Sequence, residues 1–167
     1  MTLSPRLFNV GEIEAFALKI VPGSMMNIFP ERMKDKHGAW LHIIDERLPY
    51  PALLSRECGK IPTDNLGPCR IFAEEKALRL MRHPEHVASR QSRDPEQKRW
   101  GGAIRAGHYI YSLSGLPEML DEAAMIYLCF LAGQLAFSEC GPIAHAAGHN
   151  AEWQRVENII CTMFDLK

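Results

Sequence analysis

The chain of 167 residues has the length of one ordinary domain, and 47% hydrophobic with 23% charged residues excludes disorder as a global description. A net charge of −1, with both signs mixed along the whole length, leaves no basic footprint and so argues against nucleic-acid binding, where phosphate neutralisation carries most of the affinity. The densest basic stretch, Arg90 to Arg99, also carries Asp94 and Glu96 and reads as a solvated loop.

The N-terminal stretch has Glu12 and Glu14 close behind a short apolar run, which is not the apolar segment of a signal peptide. The most apolar window, Ala123 to Phe137, falls short of the roughly 20 residues a membrane span needs and contains Gly133 and Gln134. The five cysteines, Cys58, Cys69, Cys129, Cys140 and Cys161, are scattered without a CxxC pair. Free thiols and a cytoplasmic setting are expected.

Val10, Ile13, Ala17 and Ile20 stand at helical spacing, and Pro22-Gly23 is expected to stop that helix. A second short helix fits Ser24 to Met33. Ala39 to Asp45 is apolar and β-prone, and Tyr50 to Ser55 is apolar between turn signals; together they predict a hairpin bent around Glu46 to Pro49. Asn65-Leu66-Gly67-Pro68 reads as a turn, with Pro68 in the first turn of a helix over Cys69 to Met81. Residues 83–99 are polar, carry two prolines and read as a long, mobile or functional loop.

Ala103 to Arg105 predicts a short strand, and His108 to Leu113 is the strongest strand of the chain. Ser114-Gly115-Leu116-Pro117 breaks it and starts a helix. There Glu118, Asp121 and Glu122 complement the positive end, and the apolar body runs from Ala123 to Phe137. Glu139 to Asn150 reads as a loop, and Asn150 caps a last amphipathic helix over about 150–165. The order predicts one α+β domain over 1–167, with an antiparallel sheet and helices packed on it.

Three blocks in this order point to a family. GHYIYSLSGLPEMLDEA (Gly107 to Ala123) resembles the late strand-turn-helix signature of the GlcG/HbpS/PduO-C-terminal superfamily. There a Val-Ser-Gly turn is followed by a Pro and an Asp-Glu pair at about the spacing of Pro117, Asp121 and Glu122. HGAWLHIIDERLPYPALLSREC is similar to its first hairpin, and CRIFAEEKALRLM, with Lys76-Ala77, to its central helix. The loop 83–99, the tyrosine-rich strand and the tail from Ser138 depart from the family pattern. The resemblance implies a profilin-like fold, an antiparallel sheet of about five strands packed between helices, usually in an oligomer. It also implies an association with haem binding or with corrinoid and glycolate metabolism, a link from fold to function that is weak in itself.

Ser114-Gly115 lies where backbone N–H groups and a helix N-terminus suit an anion such as a propionate or phosphate; structurally, Gly115 would supply a positive φ and Ser114 a cap. His108, beside Tyr109 and Tyr111, suits haem iron, which accepts His or Tyr; structurally it is a strand-edge histidine. Asp45, Arg56, Lys76 and Arg105 lie near element ends, where surface salt bridging is the default. Lys76, at the family's Lys-Ala position, nonetheless joins Ser114, Gly115, His108 and Tyr109 in the ligand-binding set. His145 and His149 are four apart, but Ala146-Ala147-Gly148 makes a helix there marginal and no Glu follows His145 as in a metalloprotease. His83 and His86 flank Pro84, which argues against shared coordination, and no metal site is expected.

A matched nucleophile–base pair is missing from the sequence, so no reaction is assigned. The expectation is a small-ligand-binding protein, with haem or another tetrapyrrole as the leading ligand, in a pocket between the central helix and the Ser114–Pro117 turn. The alternative is an oligomeric structural or partner-binding protein with no ligand of its own. Self-association, a homodimer or higher homo-oligomer, is expected because the apolar residues from Met125 to Phe137 and the last helix compete for one modest sheet. If the last helix covers that surface, the chain is self-sufficient as a monomer.

Overall fold

Side chains that alternate along two apolar segments build the centre of the protein. In the computed structural model, which describes residues 8–49, 51–148 and 150–164, β1 (Gly38–Asp45) pairs antiparallel with both β2 (Ala52–Gly59) and β4 (Tyr109–Ser114). β3 (Ala103–Ala106) adds to the far side of β4, giving the order β2-β1-β4-β3. The architecture is α+β with one antiparallel sheet, and the sheet has four strands where about five were expected. The β3 edge is covered instead of being extended by a strand: Ala88 bridges Ile104, and Arg105 N–H donates to Val87 O at 2.9 Å.

The period of two sorts the core into two layers. Leu41, Ile43, Ile104, Tyr111 and Leu113 pack into the larger apolar cluster, with α1 (Val10–Lys19), α4 (Glu118–Leu131), α5 (Phe137–Ala146) and α6 (Asn150–Phe164). Ile44, Ala103 and Ile110 point the other way, onto Ala77 and Leu80 of α3 (Thr63–Met81).

Several boundaries differ from expectation, each for a local reason. The first helix does not stop at Pro22: it widens into a π-helical turn over Ile20–Ser24 and continues as α2 (Met25–Ile28). A wider turn accommodates the missing N–H and the ring of proline. The central helix begins at Thr63, not Cys69, with Pro68 inside it. Residues 62–65, 67 and 68 are exposed, so water can serve the carbonyl that Pro68 leaves without a donor.

The long apolar run is two helices. Gly133 and Gln134 N–H groups turn back onto Phe130 O (3.0 Å) and Cys129 O (2.8 Å) and close α4. The stretch read as a Glu139–Asn150 loop is mostly α5, where Glu139 Oε2 accepts from Ala136 N–H at 2.7 Å.

The surface that motivated self-association is covered within one chain. Leu120 to Cys129 are all buried, under α1, α5 and α6 on one side and β3 and β4 on the other. The last helix therefore meets the apolar helix, and Leu120 to Cys129 leave no uncovered patch to argue for a homodimer. Among the described residues no helix is long and apolar enough to cross a membrane.

Residues 83–99 are held by two guanidinium groups, not left mobile. Arg79, on α3, donates through Nη1 to Ser89 O (2.6 Å), Ser92 O (2.9 Å) and Ser92 Oγ (2.7 Å), through Nη2 to Trp100 O, and through Nε to Glu75 (2.6 Å). Arg105 is not the surface salt bridge expected of it. It donates to Leu80 O (2.7 Å), to His83 O and Pro84 O (3.1 Å each), to His86 O and to both oxygens of Glu46 (3.0 Å each). Hydrogen bonds from charged donors contribute about 1.5–3 kcal/mol each. Lysine cannot reproduce this fork. Arg79→Lys is therefore expected to lower amide-exchange protection across 89–100 while β1 and β4 stay protected; unchanged protection there would contradict the clamp.

Candidate functional site

At the end of β4 where Ser114 lies, the two helical layers meet around a buried charge. Lys76 of α3 is 2% exposed, and Asp121 (2%) and Glu122 (0%) of α4 belong to the opposite layer. Lys76 Nζ donates to Leu113 O at 2.8 Å and to Asp121 Oδ2 at 3.1 Å. Its path runs past Gly102, just before β3. At φ +123 a Cβ on Gly102 would stand 2.6 Å from Nζ and 2.7 Å from Leu113 O, so only glycine leaves the passage open. The default surface reading of Lys76 is overturned: its ammonium is inside the protein.

The carboxylates that open α4 hold the surrounding backbone. Asp121 Oδ1 accepts from Leu116 N–H (3.1 Å), Glu118 Oε1 from Gly101 N–H (2.7 Å) and Glu122 Oε1 from Gly102 N–H (3.0 Å). The expected complement to the helix dipole is thus a set of specific contacts. One consequence is that the Leu116 N–H, a donor an anion at the Ser114-Gly115 turn would want, already serves Asp121. Gly115, at φ +143, is also required structurally: a Cβ would meet Ala39 Cα and Gly38 O at 2.8 Å.

Burial pushes the Asp121 carboxyl up to about 7, against the pull of Lys76 and the Leu116 N–H. Burial likewise raises Glu122 to about 8, against the Gly102 N–H and the more distant Arg90 and Lys76. Two acids raised into the neutral range at one point are typical of functional sites, though structural ion pairs show the same effect.

Above them opens a cleft of about 450 Å³ between the N-terminal half of α3 and the Ser114–Leu116 turn. Lys76 and Asp121 form part of its lining at the base, Phe72, Trp100 and Ile61 give it apolar walls, and Lys36 and His37 come from the loop before β1. Cys69 also lines it, but partial burial raises its thiol, which disfavours the nucleophilic thiolate.

Of the expected ligand-binding residues, Ser114, Gly115 and Lys76 line this cleft. His108 and Tyr109 do not. They stand at the other end of β4, five or six residues from Ser114, which is about 17–20 Å at the usual strand rise. His108 is exposed in the β3–β4 turn, and Tyr109 stacks on Phe8 with ring centroids 4.6 Å apart and receives Arg47 Nη2 at 3.3 Å. Asp45 is tied to Arg47, which holds its carboxyl at about 2.

His145 lies in the last turn of α5, and His149 lies outside the described residues. Sequence reasoning missed Lys36, His37 and Phe72 as cleft residues, because only the tertiary fold brings the loop before β1 beside α3. No family model, curated protein or solved structure matches the chain.

Two measurements test this centre. Gly102→Ala is expected to destabilise the protein by more than about 2 kcal/mol in urea unfolding, from positive-φ strain and the lost Lys76 passage; a change near zero would remove the passage. Glu122 has a folded pKa above its unfolded one, so between about pH 4.5 and 8 the folded state holds a proton that the unfolded state has released. Its contribution is fully present at low pH and is lost as pH rises through about 8. Glu122→Gln keeps the acceptor for Gly102 without the titration. Its stability relative to the parent should therefore be clearly better at about pH 8.5 than at about pH 5, and a pH-independent difference would count against the buried acid.

Proposed function

We infer that the chain binds a small molecule in the cleft between α3 and the Ser114–Leu116 turn, with haem or another tetrapyrrole as the first ligand to test. The observation that carries this reading is the cleft itself. Its volume of about 450 Å³ falls in the range of small-molecule sites, roughly 300–1,000 Å³, and such sites combine apolar walls with a few placed polar groups. Phe72, Trp100, Ile61 and Leu116 suit a flat apolar body, and Lys36 at the rim suits a carboxylate.

The haem reading changes its iron ligand. His108 and Tyr109 are too far from the cleft to serve, whereas His37 lines it and offers an imidazole nitrogen. The likeness of Gly107–Ala123 and of the first hairpin to the GlcG/HbpS/PduO-C-terminal superfamily supports the same reading, and the five free cysteines suit a reducing cytoplasm as its setting. An oligomeric role without a ligand has lost its main ground, since α4 is covered within the chain.

Hemin added to the purified protein should give a saturable, red-shifted Soret band. His37→Ala should abolish the shift and His108→Ala should leave it intact. A spectrum equal to that of free hemin would end the tetrapyrrole reading. A shift that survives His37→Ala would remove His37 as the iron ligand.

A further inference from the structure

Immediately after α3 the chain reads His83-Pro84-Glu85-His86, and the fold brings its three ligand-type side chains together. Pro84 between the histidines argued against shared coordination, yet the structure places the two rings side by side. His86 N–H donates to His83 O at 3.0 Å, closing a four-residue turn, and proline at the second position favours such turns. The turn folds the two imidazoles face to face, with ring centroids 4.9 Å apart and planes 16° from parallel.

We propose that this turn is a binding site for a divalent transition metal ion, zinc by its donor set, held by His83, Glu85 and His86. The three ligand atoms lie within 4.8 Å of one another, and this is the one such group among the described residues. His83 Nδ1 is 3.1 Å and His86 Nε2 3.5 Å from the same Glu85 oxygen. Tetrahedral zinc with bonds of about 2.0–2.1 Å places its ligand atoms about 3.3–3.4 Å apart. Two of the three separations already match that spacing. His86 turns its Nδ1 into the protein, which leaves Nε2 as the ligand atom.

The backbone under the site is fixed without any ion. Arg105 donates through Nη1 to the carbonyls of His83, Pro84 and His86, while its other two nitrogens donate to Glu46. His83 N–H also bonds Leu80 O at 3.0 Å, at the end of α3. Ligands on a clamped turn lose little freedom on binding, which is the gain of preorganisation. His83 and Glu85 have side chains 42% and 62% exposed, so an ion enters from solvent. Two histidines and one carboxylate leave a coordination position for water, as in open zinc sites.

The test uses the full-length protein without a polyhistidine tag, stripped of metal, with zinc titrated calorimetrically and cobalt followed by its visible absorption. One zinc per chain is expected, together with the intense cobalt bands of a four-coordinate site. His83→Ala and Glu85→Gln, both surface changes that leave Arg105 and its carbonyls in place, should each weaken zinc at least about ten-fold; His108→Ala should change nothing. Absence of saturable zinc binding, or equal binding in the two turn variants and the parent, would overturn the site and leave Glu85 as a hydrogen-bond acceptor between two stacked imidazoles.

Discussion

A lysine that crosses from one side of the sheet to the other is the interaction around which the remaining parts are arranged. Lys76 starts in the layer of α3 and ends on Asp121 in the layer of α4, taking the Leu113 carbonyl on the way. A buried ammonium is tolerable only when paired and hydrogen-bonded, and removal of one partner of such a pair typically costs about 3–5 kcal/mol. The sheet must therefore leave room at this point, and Gly102 does so. Once Asp121 is committed to Lys76 and to Leu116 N–H, the turn from Ser114 into α4 has little freedom left. The cleft lies on the outer side of that turn, so its shape follows from the crossing.

The same physics, cationic side chains collecting carbonyls, takes the place of regular structure between α3 and β3. Residues 82–102 include one short 3₁₀ turn over Ser89–Ser92 and isolated bridges, too little to satisfy their backbone groups among themselves. Arg79 and Arg105 supply donors from the neighbouring helix and strand. A planar guanidinium serves several acceptors in a fixed fork. Arg79 fixes the middle of the segment and its exit at Trp100, and Arg105 fixes its start at His83–His86.

The sequence made the sheet legible where periodicity was clean. Ala39 to Asp45 and His108 to Leu113 alternate, and both became central strands within a residue of expectation. Helix ends were harder to read because the punctuating residues carry more than one meaning. Pro22 and Pro68 looked like boundaries, yet a π turn and an exposed first stretch of helix absorb them. Gly133 divided a run that composition alone showed as continuous.

Ser114, Gly115 and Lys76 were legible as a group, although Lys76 was also read as a surface charge. Its burial depends on Gly102, more than twenty residues later, and on Asp121 beyond that. Pairings at such separation leave no periodic trace. The Gly101-Gly102 pair before β3 was the available signal, since adjacent glycines ahead of a strand often mark a close backbone approach.

Along α3, function and support alternate in a way that explains the helix's composition. Phe72 and Cys69 face the cleft, Lys76 enters the protein, Ala77 and Leu80 pack on the sheet, and Arg79 reaches the following segment. The helix is therefore not the simple amphipathic cylinder its charges suggest, since Lys76 and Arg79, both formally polar, are buried. They sit three apart and so share a side of the helix, and each is directed at backbone carbonyls on other elements. Because one rigid helix carries the cleft wall at its beginning and the His83–His86 turn just after its end, a change in its tilt would act on both. The buried lysine resists such a tilt, since any movement of α3 must stretch a bond to Leu113 O or Asp121 where both side chains are almost wholly buried.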